Sequence, residues 1–317
     1  MKEVQELKGY CPVSTIIETD RLFLREMNMD DYDALYLVLG DPDNMRYYPY
    51  SFDEERVRSW IARNMTRYRE NGFGLWAVCL KDTGEMIGDC GLTLQNIDGK
   101  LLPEIGYHIR GNCQRRGYAG EAARAVRNWA FRNTDYEALY SYCTAANVAS
   151  YRTAESIGMH FDREYQDVAN GILHVSVIRR DDLIENMIGW AEKKLGSTEY
   201  AGWCLSFIED ALEISNGLEI FGGDSAKESS QMYTDAMRTG LPEKGAFVFY
   251  DCLCRSENGL VNWGHCGISY GDGRVIHAWD KVRIDGYRQI EEMTAASGDH
   301  PRYIGWVPLA RVLKQKP

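Results

Sequence analysis

"CQRRGYAGEA", residues 113–122, decides how the first half of the chain is read. It follows a strand-like stretch, "LLPEIGYHI". It opens a helix-like one, "GEAARAVRNWAFRN", in which Ala122, Val126, Trp129 and Ala130 form one apolar stripe. Gly117 and Gly120 let the backbone turn tightly between the two, so that several N–H groups point outward at a helix N-terminus. That is a cradle for an anion such as a pyrophosphate. A plain strand-to-helix turn also needs glycine, and Gly-x-x-Gly alone does not separate the two.

Working outward, the surroundings are mixed α/β. "TIIETDRLFLREM" alternates like a strand, and "MDDYDALYLVLG" and "DEERVRSWIARNMTRYRENG" have helical spacing with acidic first turns. "GLWAVCLKDTGEMIGDCGLTL" predicts two strands around a Thr83-Gly84 turn. "ALYSYC" and "ILHVSVIRR" add strands around a short helix in "ASYRTAESIG". The charged stretch "RRDDLIEN" breaks the pattern near residue 180, before a helix in "MIGWAEKKLGS" and a glycine-rich section of short strands. The expected division is therefore 1–182 and 183–317. A chain of 317 residues favours two cores over one.

Composition narrows the function classes. A net charge of −11 argues against a nucleic-acid binder, which carries a basic face. No apolar run approaches membrane-spanning length, and the first twenty residues lack the apolar core of a secretory signal. Nine cysteines without regular spacing suit reduced thiols in a cytoplasm. The expected setting is cytoplasmic, with neither nucleic acid nor membrane as partner.

The order "TDRLFLREM", "GDCGLTL", "EIGYHI", Gln114-Arg115-Arg116-Gly117-Tyr118-Ala119-Gly120, "EAARAV" and "NVASYRTAESIGMHF" resembles the GNAT acetyltransferases of the RimJ/RimL-like branch, over about the first 180 residues. The resemblance implies a mixed central sheet, acetyl-CoA as cosubstrate, and the Gln114–Gly120 backbone as its pyrophosphate cradle. It also implies that Asn147 and Ser150 line the pantetheine arm. The acceptor it implies is an amine on a small molecule, a peptide or a protein N-terminus. Such a transfer needs a base for the ammonium and an acid for the departing thiolate. Glu104, on the strand before the loop, is the candidate base; its bland reading is a half-exposed strand carboxylate. Many relatives carry the acid as a tyrosine seven residues after the asparagine, where this chain has Ala154. Tyr151 lies one helical turn earlier.

In the second half, "WCLSFIEDAL" (203–212) places Cys204 at the start of an amphipathic pattern with Leu205, Ile208 and Leu212 at helical spacing. "GHCGISYGDGRVIHA" holds His265 and His277 on either side of a "YGDG" hairpin turn. Alternation across a hairpin can put both histidines on one face, opposite or diagonal. A cysteine at a helix start with two such histidines supplies nucleophile, base and orienter. Together with "AEKKLGSTEY", "LPEKGAFVFY" and "YIGWVP", the order resembles the NlpC-type cysteine peptidases, a papain-like α+β fold with an antiparallel sheet. It implies Cys204 as nucleophile, His265 as base and His277 as orienter, acting on a peptide or amide. Wall-peptide members carry aspartate before and serine after the cysteine; Trp203 and Leu205 stand there. Tyr200 is a further candidate lining residue.

Other readings stand beside these. The histidines can be satisfied core residues, and the second domain an inert papain-like binding module. Cys252, Cys254, His265 and Cys266 can form a metal site, although they lack paired Cys-x-x-Cys spacing, and no metal is expected. The first domain can be a non-enzymatic acyl-CoA sensor.

Overall fold

The computed structural model of the chain describes residues 14–256 and 259–314. They divide into two compact units. One takes in the chain up to Ala130 together with Thr134–Ile178; the other takes in Phe131–Asn133 and the chain from Arg179.

In the first unit, "TIIETDRLFLREM" is two strands rather than one. β1 (Thr15–Glu18) and β2 (Leu22–Arg25) pair antiparallel across a turn. Helices α1 (Tyr32–Leu39) and α2 (Glu54–Asn71) follow, the latter capped by Asp53, whose side chain accepts from Arg56 N. β3 (Leu75–Leu80), β4 (Met86–Ile97) and β5 (Lys100–Ile109) make a meander. β4 and β5 pair from Gly88↔Ile109 to Ile97↔Lys100. Asp98 and Gly99, both at positive φ, turn the chain between them. Helix α3 (Tyr118–Asn133), β6 (Ala138–Thr144), helix α4 (Val148–Ser156), β7 (His160–Asp167) and β8 (Gly171–Arg179) follow in the chain. β7 gave no apolar alternation in the sequence, and in the structure no residue of it is fully buried.

Among the described residues the strands form one mixed sheet in the order β1-β2-β3-β4-β5-β6-β8-β7. Its helices lie on both faces, as the alternation of β3 requires. Leu75, Ala77 and Cys79 join Leu35, Val38, Val57 and Ile61 in one core, whereas Trp76 meets Trp129 of α3 edge to face at 4.8 Å. β4 and β3 approach so closely at Gly91 that a Cβ there would lie 2.0 Å from the Gly74 carbonyl oxygen, which only glycine permits. β5 and β6 run parallel, with Glu104 opposite Tyr140.

The second unit begins with α5 (Arg180–Glu192). The units divide at the start of "RRDDLIEN", but the stretch is itself the last residue of β8 and the first turns of a helix that begins earlier than "MIGWAEKKLGS". Asp182 accepts from Arg179 N at 2.7 Å, an N-terminal cap that charge content alone concealed. α6 (Cys204–Asn216) and α7 (Ala226–Met232) precede the strands β9 (Phe247–Asp251), β10 (Leu253–Ser256), β11 (Gly259–Asn262), β12 (His265–Ser269), β13 (Arg274–Ala278), β14 (Val282–Gly286) and β15 (Arg302–Val307), with α8 (Leu309–Leu313) last. The order β14-β13-β12-β9-β15 is antiparallel throughout, and β10 pairs antiparallel with β11 in a separate two-stranded sheet. α6 buries Phe207, Ile208, Ala211 and Leu212 and lies against β12 and β13. Leu205 stays half-buried. Val248, Tyr250, Val275, Ile290 and Trp306 form a core in this unit.

Candidate active sites

Each unit gathers its own set of polar side chains. In the first, the chain leaves β5 through a single 3-10 turn at Gly111–Cys113 and enters α3 at Tyr118. Arg115 (φ 62) and Gly117 (φ 84) both adopt left-handed backbone, which turns the segment back on itself. Gln114 ties the turn to β5 through a 2.9 Å bond from its Nε2 to Ile109 O. Gln114, Arg115, Arg116 and Gly117 are exposed, and Tyr118, Ala119 and Gly120 half-buried. A Cβ at Gly120 would come within 3.2 Å of Ser156 Oγ.

One clamp on this loop escaped the sequence. Arg21 Nη1 donates to Arg116 O at 3.0 Å, and Arg21 Nε to Glu121 Oε2 at 2.7 Å. The guanidinium also lies over the Tyr118 ring, 4.6 Å from its centroid. Arg115 and Arg116 precede the N-terminus of α3 in the chain, and a helix N-terminus favours an anion.

Glu104 is buried on β5, not half-exposed. Its Oε2 accepts from Thr93 Oγ1 at 2.8 Å, the residue directly opposite on β4. Burial raises the carboxyl to about 7, outweighing the Thr93 bond and the His108 and Arg67 cations, which pull it down. Beside it stands a second cross-strand pair, Asp89 opposite His108. Asp89 is fully buried; its Oδ1 holds His108 Nδ1 at 2.7 Å and its Oδ2 accepts from Trp60 Nε1 at 2.8 Å. The other ring nitrogen of His108 meets the Tyr48 hydroxyl at 2.8 Å. His108 titrates above the ordinary imidazole value because Asp89, by charge and by hydrogen bond, overcomes its burial. No local pattern in the sequence marks this Tyr48–His108–Asp89 chain, whose members lie far apart along it.

Asn147 and Ser150 meet at the start of α4, where Asn147 Oδ1 accepts from Ser150 N at 3.3 Å and so caps the helix. Ser150 O accepts from Tyr107 Oη at 2.7 Å. Tyr151 stacks on His174 at 4.7 Å.

In the second unit, Cys204 is the first residue of α6 and half-buried. His277 lies opposite Gly267, so His265 sits diagonal to it on the same face. The two rings join through His265 Nε2 and His277 Nδ1 at 2.8 Å, and both are buried. The Cys204 thiol titrates well below the ordinary value, first because Cys266 hydrogen-bonds its sulfur, then through the charge and hydrogen bond of His265; burial opposes both. Burial pushes the Cys266 thiol well up. Burial likewise lowers His277 to about 4, although the carboxylate of Asp285, 3.0 Å from His277 Nε2, resists this. Tyr200 donates to Asp210 Oδ2 at 2.7 Å. Among the described residues, no group of three or more His, Cys, Asp or Glu side chains is placed to hold a metal ion. No described helix is long and apolar enough to cross a membrane.

Residues 21–160 match the acetyltransferase (GNAT) domain model. The uncharacterized protein YkkB of Bacillus subtilis is 37% identical over 150 residues, covering 47% of this chain and 87% of the relative. The uncharacterized N-acetyltransferase YnaD of the same organism is 31% identical over 144 residues, covering 45% and 81%. Among solved structures, a GNAT-family acetyltransferase from Bacillus anthracis aligns with 25% identity and a TM-score of 0.46, over 52% of this chain and 98% of that one.

Proposed function

The chain belongs to the GNAT acetyltransferases, a family whose cosubstrate is acetyl-CoA, and from that premise we propose that residues 1–182 acetylate an amine of a small molecule, a peptide or a protein N-terminus. Bound acetyl-CoA supplies the activated acetyl thioester. The backbone of Gln114, Arg115, Arg116, Gly117, Tyr118, Ala119 and Gly120 holds its pyrophosphate, with Arg21 fixing the loop, and Asn147 and Ser150 flank the pantetheine arm. Glu104 takes the proton that an attacking ammonium must lose. Tyr48, backed by His108 and Asp89, returns a proton to the departing sulfur, the task for which Ala154 leaves no side chain. The observation that carries this assignment is the buried Glu104 carboxyl, poised at about 7 in the same neighbourhood as an oriented hydroxyl–imidazole–carboxylate chain.

Acetyl-CoA at 100 times its dissociation constant is expected to stabilise the protein by about 2.7 kcal/mol, read as a raised melting temperature of the first unit. Gly120→Val crowds both Ser156 and the phosphate path and should remove that shift. A variant that is protected as well as the parent would show that the loop does not hold the cosubstrate.

For residues 183–317 we propose a papain-like, NlpC-type thiol hydrolase acting on a peptide or amide bond. Cys204 is its nucleophile, His265 its base and His277 its orienter. Support comes from the cysteine at a helix N-terminus, its thiol held down by Cys266 and His265, with His265 joined to the buried His277. Trp203 and Leu205 replace the pair that holds a wall-peptide amino end, so the substrate is not placed among cell-wall peptides. Mass spectrometry of a cell extract incubated with the parent and with Cys204→Ala separates a hydrolase from an inert module. Only a hydrolase yields products that vanish in the variant.

A further inference from the structure

Asp285 has no part in the nucleophile–base–orienter set, yet it ends the same row of contacts. It stands on β14, opposite Val275, while Arg283 lies opposite His277. The pleat therefore places His265, His277, Arg283 and Asp285 on one face of three adjacent strands. Arg283 grips the carboxylate in two places, Nε to Oδ2 at 2.5 Å and Nη2 to Oδ1 at 3.0 Å.

We propose that Asp285 is a positioning residue that decides which nitrogen of His265 serves as the base; this rests on Cys204 being the nucleophile. A carboxylate only accepts hydrogen bonds, so His277 Nε2, 3.0 Å away, carries that ring's proton. His277 is neutral near pH 7, since burial lowers it to about 4, and a neutral ring has one N–H. Its Nδ1 is thus a bare acceptor. The 2.8 Å contact with His265 then requires the proton of His265 to sit on Nε2. Neutral His265 is left with an unprotonated Nδ1, the nitrogen that receives the Cys204 proton. When it does so, the thiol S–H bond breaks, an Nδ1–H bond forms, and the imidazolium is stabilised through His277 without a second proton moving.

Without an acceptor at 285, His277 can instead carry its proton on Nδ1 and donate to His265 Nε2. The proton of neutral His265 then moves to Nδ1 and presents the thiol with a donor. The surroundings bear on this balance. His277 faces His265 from β12 and Asp285 and Arg283 from β14, with Asp280 3.6 Å from Arg283. Cys204 faces His265 and Cys266 from β12, and Glu209 on its own helix lies within electrostatic reach.

Two measurements test this. The first is the rate of Cys204 alkylation by iodoacetamide between pH 5 and 9, followed by peptide mapping in the full chain. Asp285→Ala should raise the midpoint of that profile by at least about one unit and slow labelling at pH 6 roughly tenfold. Asp285→Glu should restore part of the loss, and Arg283→Gln, which keeps the acceptor, should leave the tautomer unchanged. The second is the 15N signature of His265 in a Cys204→Ala background at pH 8, where the parent should show a neutral ring protonated on Nε2. Asp285→Ala should move population to the Nδ1–H form. An unchanged alkylation profile in Asp285→Ala, or an Nδ1–H ring in the Asp285 background, overturns the proposal while leaving Cys204 as nucleophile. If the parent's Cys204 itself labels no faster than Cys254, the nucleophile assignment fails first.

Discussion

Replacing Glu104 with glutamine is expected to lower kcat/KM for acetyl transfer by about 10²- to 10³-fold, on any amine the parent acetylates. Glutamine keeps the shape and can still accept from Thr93, so the change removes a base and little else. The parent's profile should rise with pH and level off above about 7, because Glu104 accepts a proton only when ionised. In Glu104→Gln that limb should disappear while acetyl-CoA protection persists. Stability should move the other way. Burial raises this carboxyl, so the folded state holds its proton more tightly than the unfolded chain, and folding weakens as pH climbs from the ordinary carboxyl range to about 7. The variant should therefore melt higher than the parent at pH 8 and about equally at pH 4. A site that loses rate and gains stability on one substitution is holding a charge for chemistry. Full activity with an unaltered acid limb in Glu104→Gln would remove Glu104 from the mechanism.

How much of this was legible depended on the sequence distance between partners. The loop from Gln114 to Gly120 is local: its glycines, the strand before and the stripe after all fall within a short window. The diagonal pairing of His265 and His277 follows from one hairpin. Asp285 lies one strand further, and its place on the shared face depends on the β13–β14 register, which no tight turn signal in the sequence pins. Tyr48 is harder still. It sits in a loop and meets His108, sixty positions away, so neither propensity nor periodicity points to the pair. Arg21 reaches Arg116 across a still longer span, 95 positions. The start of α5 lies earlier than its apolar spacing indicates for a different reason: charge content hid a cap formed by Asp182. In β7, alternation was absent because none of its residues is fully buried, and burial is what writes alternation into a strand.

Cys204 is expected to be the cysteine that iodoacetamide labels fastest in the native protein, and pH 6 is where the difference should be widest. An ordinary thiol with a pKa of about 8.5 is roughly 0.3% thiolate at that pH, whereas a thiol held well below the ordinary value, as Cys204 is, is mostly ionised. Population alone would then favour Cys204 by about 10²-fold or more. A more acidic thiolate is a weaker nucleophile, which returns about a factor of ten. A net advantage of roughly 10- to 30-fold remains. Cys254 is the fair control, being half-buried like Cys204 but on a strand rather than at a helix N-terminus. Cys252 and Cys266 are buried with raised thiols and should lag both. His265→Ala removes the cation that stabilises the thiolate and should bring Cys204 close to the rate of Cys254. His277→Ala should act more weakly, since it removes only the partner that orients His265. Cys204 and Cys254 labelling at the same rate, with no response to His265→Ala, would mean that the second unit uses its cysteine for packing and not for catalysis.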